Sequence, residues 1–237
     1  MRMILIYLSS FVNREIVRFA YFVAGHSMIG NPWRRQQAEI FTALYFAFWI
    51  SREFAVGLDR VPSGDDLPND FNVVIEISMH SEPIKYEVDK DSGAIFVDRF
   101  MSTAMHYPCN YGYIPHTIGG DGDPVDVLVL SQFALPPGVV VHCRPIGVLK
   151  MVDEGGEDAK LLAVPVDRLT PMYRKIHSPS DLQQIMLDQI AHFFQHYKDL
   201  EPGKFVKLLG WFGVEEARKE IMDGVAAYQS AKDKPAF

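Results

Sequence analysis

The sequence predicts an α+β fold that is mainly β. Short apolar or alternating runs recur from residue 73 onward, each bounded by Gly, Pro, Asn or Asp. Apolar residues at three- and four-residue spacing appear in two later stretches, 180–198 and 214–230. A 48% apolar content over 237 residues is enough for a sizeable core, in one generous domain or two small ones.

The chain begins with a segment unlike the rest. Residues 1–56 hold six Arg and three Glu with no Lys or Asp, so the remaining 181 residues carry −10 against an overall −7. An acidic body argues against a nucleic-acid partner, and it suits metal cations that in turn hold an anionic substrate. The apolar runs at 3–8 and 40–50 fall short of the ~20 residues a membrane span needs. Asn13, Arg14 and Glu15 interrupt the signal-peptide pattern with no small-residue cleavage site, so no membrane partner is expected. Two cysteines, Cys109 and Cys143, cannot build a disulfide framework, which makes a reducing cytoplasm the default location.

Val73-Val74-Ile75-Glu76-Ile77 reads as the first strand after turn chemistry at 62–70. Glu76 within it is either an outward edge position or a site carboxylate. A hairpin follows, with arms 84–88 and 94–99 around Asp89-Lys90-Asp91-Ser92-Gly93. Alternation puts Lys85 and Glu87 on one face, which alone would read as a solvated face. Tyr107-Pro108-Cys109-Asn110-Tyr111-Gly112-Tyr113-Ile114-Pro115 packs three tyrosines and two prolines into nine residues and reads as extended and irregular.

Asp121-Gly122-Asp123-Pro124-Val125-Asp126 places three carboxylates within six residues, then runs into the strand 127–130. Such carboxylates repel one another unless cations sit among them, and oxygen ligands of this kind suit Mg²⁺. A solvated turn is the plainer alternative. Residues 139–141 and 146–150 read as two strands separated by Arg144-Pro145. A second acidic, glycine-bearing loop, Asp153-Glu154-Gly155-Gly156-Glu157-Asp158-Ala159-Lys160, opens the strand 161–164. Two such loops beside strands of one sheet could face each other, which strengthens the metal-site reading.

Ser180 and Gln183 match a capping box. Leu182, Ile185, Met186, Ile190, Phe193, Phe194 and Tyr197 then form one apolar stripe, read as core. His192 and His196 lack the Glu of a zinc-protease motif and read as ordinary helix residues. Tyr197-Lys198 closes the helix, 204–211 is a last strand, and 214–230 a final amphipathic helix.

With these pieces in place, the chain resembles the soluble (family I) inorganic pyrophosphatases of bacterial type. Asp121-Gly122-Asp123-Pro124-Val125-Asp126 fits the family's Asp-Gly-Asp-Pro-x-Asp signature, and Pro83-Ile84-Lys85-Tyr86-Glu87 and Asp158-Ala159-Lys160 fit as well. The match runs from about residue 57 to 230. It implies a five-stranded OB-like barrel flanked by two helices, a homohexamer, and Mg²⁺-dependent hydrolysis of diphosphate to two orthophosphates, with Mn²⁺ or Zn²⁺ as substitutes. Asp121, Asp126 and Asp158 resemble the ligands of a first metal, with Asp126 shared by a second. Asp153 and Asp158 would hold a substrate-borne ion, and Glu76 and Glu87 would complete the acidic wall. Lys85, Arg99, Tyr111, Lys160, Tyr197 and Lys198 resemble the phosphate-contacting set, with Tyr107 nearby. Asp123 would take the proton from the attacking water.

Two other readings compete. An OB-fold nucleic-acid binder would need a basic groove with stacking aromatics, against the −10 body. A nucleotide phosphohydrolase would need a pocket for the base, and none is marked. Nothing in residues 1–56 fits the family, and valine at 56 is how a GTG start codon inside a longer frame would be read. The expectation is therefore a functional domain at 57–237 preceded by an extension, 1–56, outside it. The competing expectation is a genuine appended helix or targeting arm.

Overall fold

The computed structural model describes residues 57–89, 92–232 and 234, and every element below lies in the unit Gly57–Phe237. The expectations for residues 1–56, and for Lys90 and Asp91 of the hairpin turn, lie outside the described residues.

The strands in chain order are β1 (Phe71–Ile77), β2 (Ile84–Val88), β3 (Ile95–Phe100), β4 (Asn110–Tyr113), β5 (Asp126–Val129), β6 (Val140–Asp153), β7 (Gly156–Pro165) and β8 (Val206–Phe212). The helices are α1 (Gln184–His196) and α2 (Val214–Ser230). Five strands pair in the order β1-β4-β5-β7-β6, and a further β6–β1 pairing closes them into a ring. This is the expected OB-like barrel with two helices. The first part of β6 pairs with β1 over 140–143, while its later part carries β8 over 148–153. β2 and β3 form a separate hairpin.

The continuous apolar runs of β5 and β7 follow from burial on both faces. Val127, Val129, Leu161 and Ala163 pack with Ala217 and Ile221 of α2. Leu128, Leu162 and Val164 point the other way, onto Leu187, Ile190, Phe193 and Phe194 of α1. Among the described residues no helix is long and apolar enough to cross a membrane.

Three local expectations are corrected. Residues 139–141 and 146–150 are not separate strands; β6 runs through Arg144-Pro145, with a register shift between Pro145 and Gly147 that absorbs the missing proline N–H. The tyrosine stretch is not irregular throughout, because Asn110–Tyr113 is the fully buried β4, between β1 and β5. Gly112 permits this, since a Cβ there would overlap the Val74 carbonyl of β1. Asn110 anchors the strand by accepting from the Met79 and Leu135 amides at 3.0 and 2.8 Å, and donating to Ser131 Oγ at 2.8 Å.

The third correction concerns the start of α1. Asp181, not Gln183, caps the turn, accepting from the His177 and Ser178 amides at 2.8 and 2.9 Å around a 3₁₀ turn, Pro179–Asp181. Leu182 is then extended and α1 begins at Gln184, which turns Ile185 and Met186 to solvent and Leu187 to the core. The core stripe is therefore Leu187, Ile190, Phe193, Phe194 and Tyr197.

Candidate active site

β5 and β7 run parallel, so both start at the same end of the barrel, and their register sets Asp126 directly beside Lys160. Asp158 lies two residues earlier on β7 and so shares the face of Lys160. Lys160 is buried, forms an ion pair with Asp126, and lies 2.8 Å from Asp158 Oδ1. A buried ammonium persists only when paired in this way. Burial lowers its proton affinity, but Asp126 and Asp158 outweigh that and hold it well above the ordinary lysine range.

The loop before β5 brings Asp121 to the same place. Asp121, Asp126 and Asp158 each offer a carboxylate oxygen, and these oxygens all lie within 4.8 Å of one another. Burial pushes the Asp121 and Asp158 carboxyls up, with Asp158 further raised by Asp126 although Lys160 opposes. Hard oxygen donors that repel one another are the donor set a divalent cation such as Mg²⁺ relieves, so the residues fit that ion. The backbone N–H of Asp123 donates to Asp121 Oδ1 at 3.0 Å, which folds the exposed loop back on itself.

The turn between β6 and β7 carries Asp153 and Glu154. Lys198, just beyond α1, is buried and reaches Asp153 Oδ2 at 2.7 Å and Glu154 Oε1 at 3.0 Å. Burial raises the Asp153 carboxyl, but hydrogen bonds from Lys198 and the Gly155 amide bring it below the ordinary range. The end of the helix is thereby tied to the acidic turn.

The hairpin supplies the opposite wall. Lys85 pairs across the strands with Arg99 and forms an ion pair with Glu87, and all three line the cleft described below. Asp98 lies 3.7 Å from both cations, and Glu201 lies 3.6 Å from Arg99 Nε and 3.0 Å from Lys204. Glu76 is buried on β1, which removes the edge reading. Burial, with Asp126 and Glu87 adding to it, pushes its carboxyl up to about 8.

Three tyrosines pack beneath the charges: Tyr107 lies 5.3 Å from Tyr111, and Phe193 stacks on Tyr197 at 5.3 Å. Burial raises the phenols of Tyr107, Tyr111 and Tyr197, so all three stay protonated and can donate.

Glu76, Lys85, Glu87, Arg99, Tyr107, Tyr111, Asp121, Asp123, Asp126, Asp153, Asp158, Lys160, Tyr197 and Lys198 all line one cleft of about 360 Å³. Glu154, Tyr113 and Lys204 line it too, beyond the site residues expected from the sequence. Glu154 belongs to the acidic loop and Tyr113 to the tyrosine stretch, both visible in the sequence; Lys204 carries no local signal, because only the tertiary fold brings it there.

The family model of inorganic pyrophosphatases matches residues 73–229. The chain belongs to the inorganic pyrophosphatase family. An inorganic pyrophosphatase of Escherichia coli is 60% identical over 179 residues, which cover 76% of this chain and 100% of that protein. One from Ralstonia nicotianae is 58% identical over 174 residues, 73% of this chain and 99% of its own. Among solved structures, an inorganic phosphatase from Anaplasma phagocytophilum is similar at a TM-score of 0.71 and 52% identity, covering 72% of this chain and 99% of that one. The inorganic pyrophosphatase of Thermus thermophilus gives a TM-score of 0.70 at 41% identity, covering 74% and 100%. The family's matched length includes every described residue that lines the cleft.

Proposed function

We propose that the protein hydrolyses inorganic diphosphate to two orthophosphates with Mg²⁺ as its cofactor. The observation that carries this reading is a single cleft in which a carboxylate trio, Asp121, Asp126 and Asp158, faces the cations Lys85, Arg99, Lys160 and Lys198. Acids alone would suit a metal and bases alone an anion. Together they suit a metal-bound polyphosphate.

In this reading Asp121, Asp126 and Asp158 hold the first ion, Asp126 is shared with a second, and Asp153 and Asp158 receive one carried by the substrate. When bound, such ions neutralise phosphate charge and acidify the attacking water. Lys85, Arg99, Lys160 and Lys198 fix the phosphates by charge. Tyr111 and Tyr197 donate from protonated phenols, and Tyr107 braces Tyr111 from behind. Asp123 stands on the exposed loop and accepts the proton of the attacking water. Glu76 and Glu87 complete the acidic wall, Glu87 by orienting Lys85. Positioning and charge neutralisation are what phosphoryl transfer asks of a protein.

The finer parts of the reading are that Mg²⁺ is preferred over Mn²⁺ or Zn²⁺, that the protein is a cytoplasmic homohexamer, and that 57–237 is the functional domain. The domain limit is supported by a relative whose whole length matches 76% of this chain. Assembly is supported by the exposed Phe96, Phe100 and Phe133, which a homo-oligomer would bury. The deciding experiment measures phosphate release with Mg²⁺ from diphosphate and, separately, from a nucleoside triphosphate. Release from diphosphate with little from the nucleotide supports the proposal; the opposite preference overturns it.

A further inference from the structure

The loop that carries Asp121 and Asp123 has little packing of its own, since residues 120–123 are exposed. Its placement must come from its base. There Thr117 is fully buried, and its hydroxyl uses both capacities: Oγ1 donates to the Ile114 carbonyl at 2.6 Å and accepts from the Val125 amide at 3.0 Å. Ile114 precedes the loop and Val125 ends it. One hydroxyl therefore joins the two stems, beside the backbone bond from Ile114 N–H to the Val125 carbonyl at 3.0 Å.

α2 abuts the same point. The Gly224 carbonyl accepts from the Ile118 amide at 3.0 Å. A Cβ at Gly224 would come within 2.5 Å of Val125 Cγ2 and 3.4 Å of Thr117 Cβ. Glycine is disfavoured inside a helix, so its presence here answers a contact too close for any side chain. One turn further on, Tyr228 Oη lies 3.0 Å from His116 Nδ1, the residue before Thr117.

We propose that Thr117 and Gly224 are positioning residues that set the separation of Asp121 from Asp126, and hence the affinity of the carboxylate trio for its ion. Thr117 ties the stems together and Gly224 seats them against α2. Neither is among the residues that line the cleft. The inference rests on the reading of that trio as a Mg²⁺ site.

The test is direct titration of the metal-free full-length chain with Mg²⁺ by calorimetry, for wild type, Thr117→Val, Thr117→Ser and Gly224→Ala, with melting curves in chelator alongside. Thr117→Val keeps the shape and removes the hydroxyl. Its Mg²⁺ affinity should fall about tenfold, the lower end of what loss of a supporting hydrogen bond costs a metal site. Thr117→Ser, which restores the hydroxyl, should bind like wild type, and Gly224→Ala should weaken binding as Thr117→Val does. Lower melting temperatures with unchanged Mg²⁺ affinity in both Thr117→Val and Gly224→Ala would show a merely structural role and overturn the proposal. Equal loss in Thr117→Ser and Thr117→Val would also overturn it. Should Thr117→Val fail to fold, Gly224→Ala decides alone. Because the readout is binding, a wild type that binds Mg²⁺ without cleaving diphosphate would overturn the proposed reaction and leave this inference to be judged on its own arms.

Discussion

Glu76 Oε1 accepts a hydrogen bond from the Val88 backbone amide at 2.8 Å, joining the barrel strand β1 to the end of the hairpin strand β2. That bond favours the charged carboxylate, yet burial outweighs it and raises the group to about 8. Between about pH 4.5 and that value, the folded protein holds a proton that the unfolded chain has released. Stability of the metal-free protein should therefore fall as pH rises through this window, by up to about 1.4 kcal/mol per pH unit from this group. Glu76→Gln should remove that part of the slope. Melting curves in chelator from about pH 5 to about pH 8 check it, and equal slopes in wild type and variant would refute the assignment.

Asp123→Asn keeps the shape of the loop, including the backbone donation to Asp121, and removes the proposed proton acceptor. Turnover should drop by roughly 10²–10⁴-fold, as is usual for loss of a general base, with the fold intact. Steady-state kinetics with circular dichroism measure both. Activity near wild type would move the proton's destination elsewhere.

Mg²⁺ should raise the melting temperature with concentration, because the trio Asp121, Asp126 and Asp158 is assembled in the native fold and scattered in the unfolded chain. The gain should reach about 2.7 kcal/mol when free Mg²⁺ is about a hundred times its dissociation constant. Differential scanning fluorimetry across millimolar Mg²⁺ is sufficient. A flat response would count against a preformed site.

Residues 57–237 expressed behind a new methionine should be soluble and match the full-length chain in diphosphate turnover, since every described residue that lines the cleft lies in this region. Aggregation or loss of activity would show that residues 1–56 are needed.

What could be read from the sequence was local. The Asp121–Asp126 run announces itself because three acids crowd on a glycine-broken backbone, and Lys85 with Glu87 follows from strand alternation. Glu76 remained ambiguous, as a single charge in an apolar strand is the same text whether the strand is edge or interior. β4 was missed because its aromatic, proline-flanked residues lack alternation, and its burial comes from neighbours β1 and β5 far away in sequence. The passage of β6 through Pro145 was hidden for a related reason: a bulge restores pairing that the proline by itself would end. The grip of Asp98 on Lys85 and of Glu201 on Arg99 and Lys204 depends on how separate elements meet, which no local pattern encodes.

The parallel pairing of β5 with β7 has a consequence for mutation that no list of charged residues conveys. Asp126 faces Lys160 because the two strands are in one register, with Val127 beside Leu161 in the next row. Slipping either strand by a single residue would turn its alternate side chains to the opposite face, sending an acid or a lysine toward the apolar core. A one-residue deletion in the loop before β5, or in the turn between β6 and β7, would therefore unbalance the charges while altering none of them. Spacing between the charged residues is as much a part of the catalytic inventory as the residues themselves.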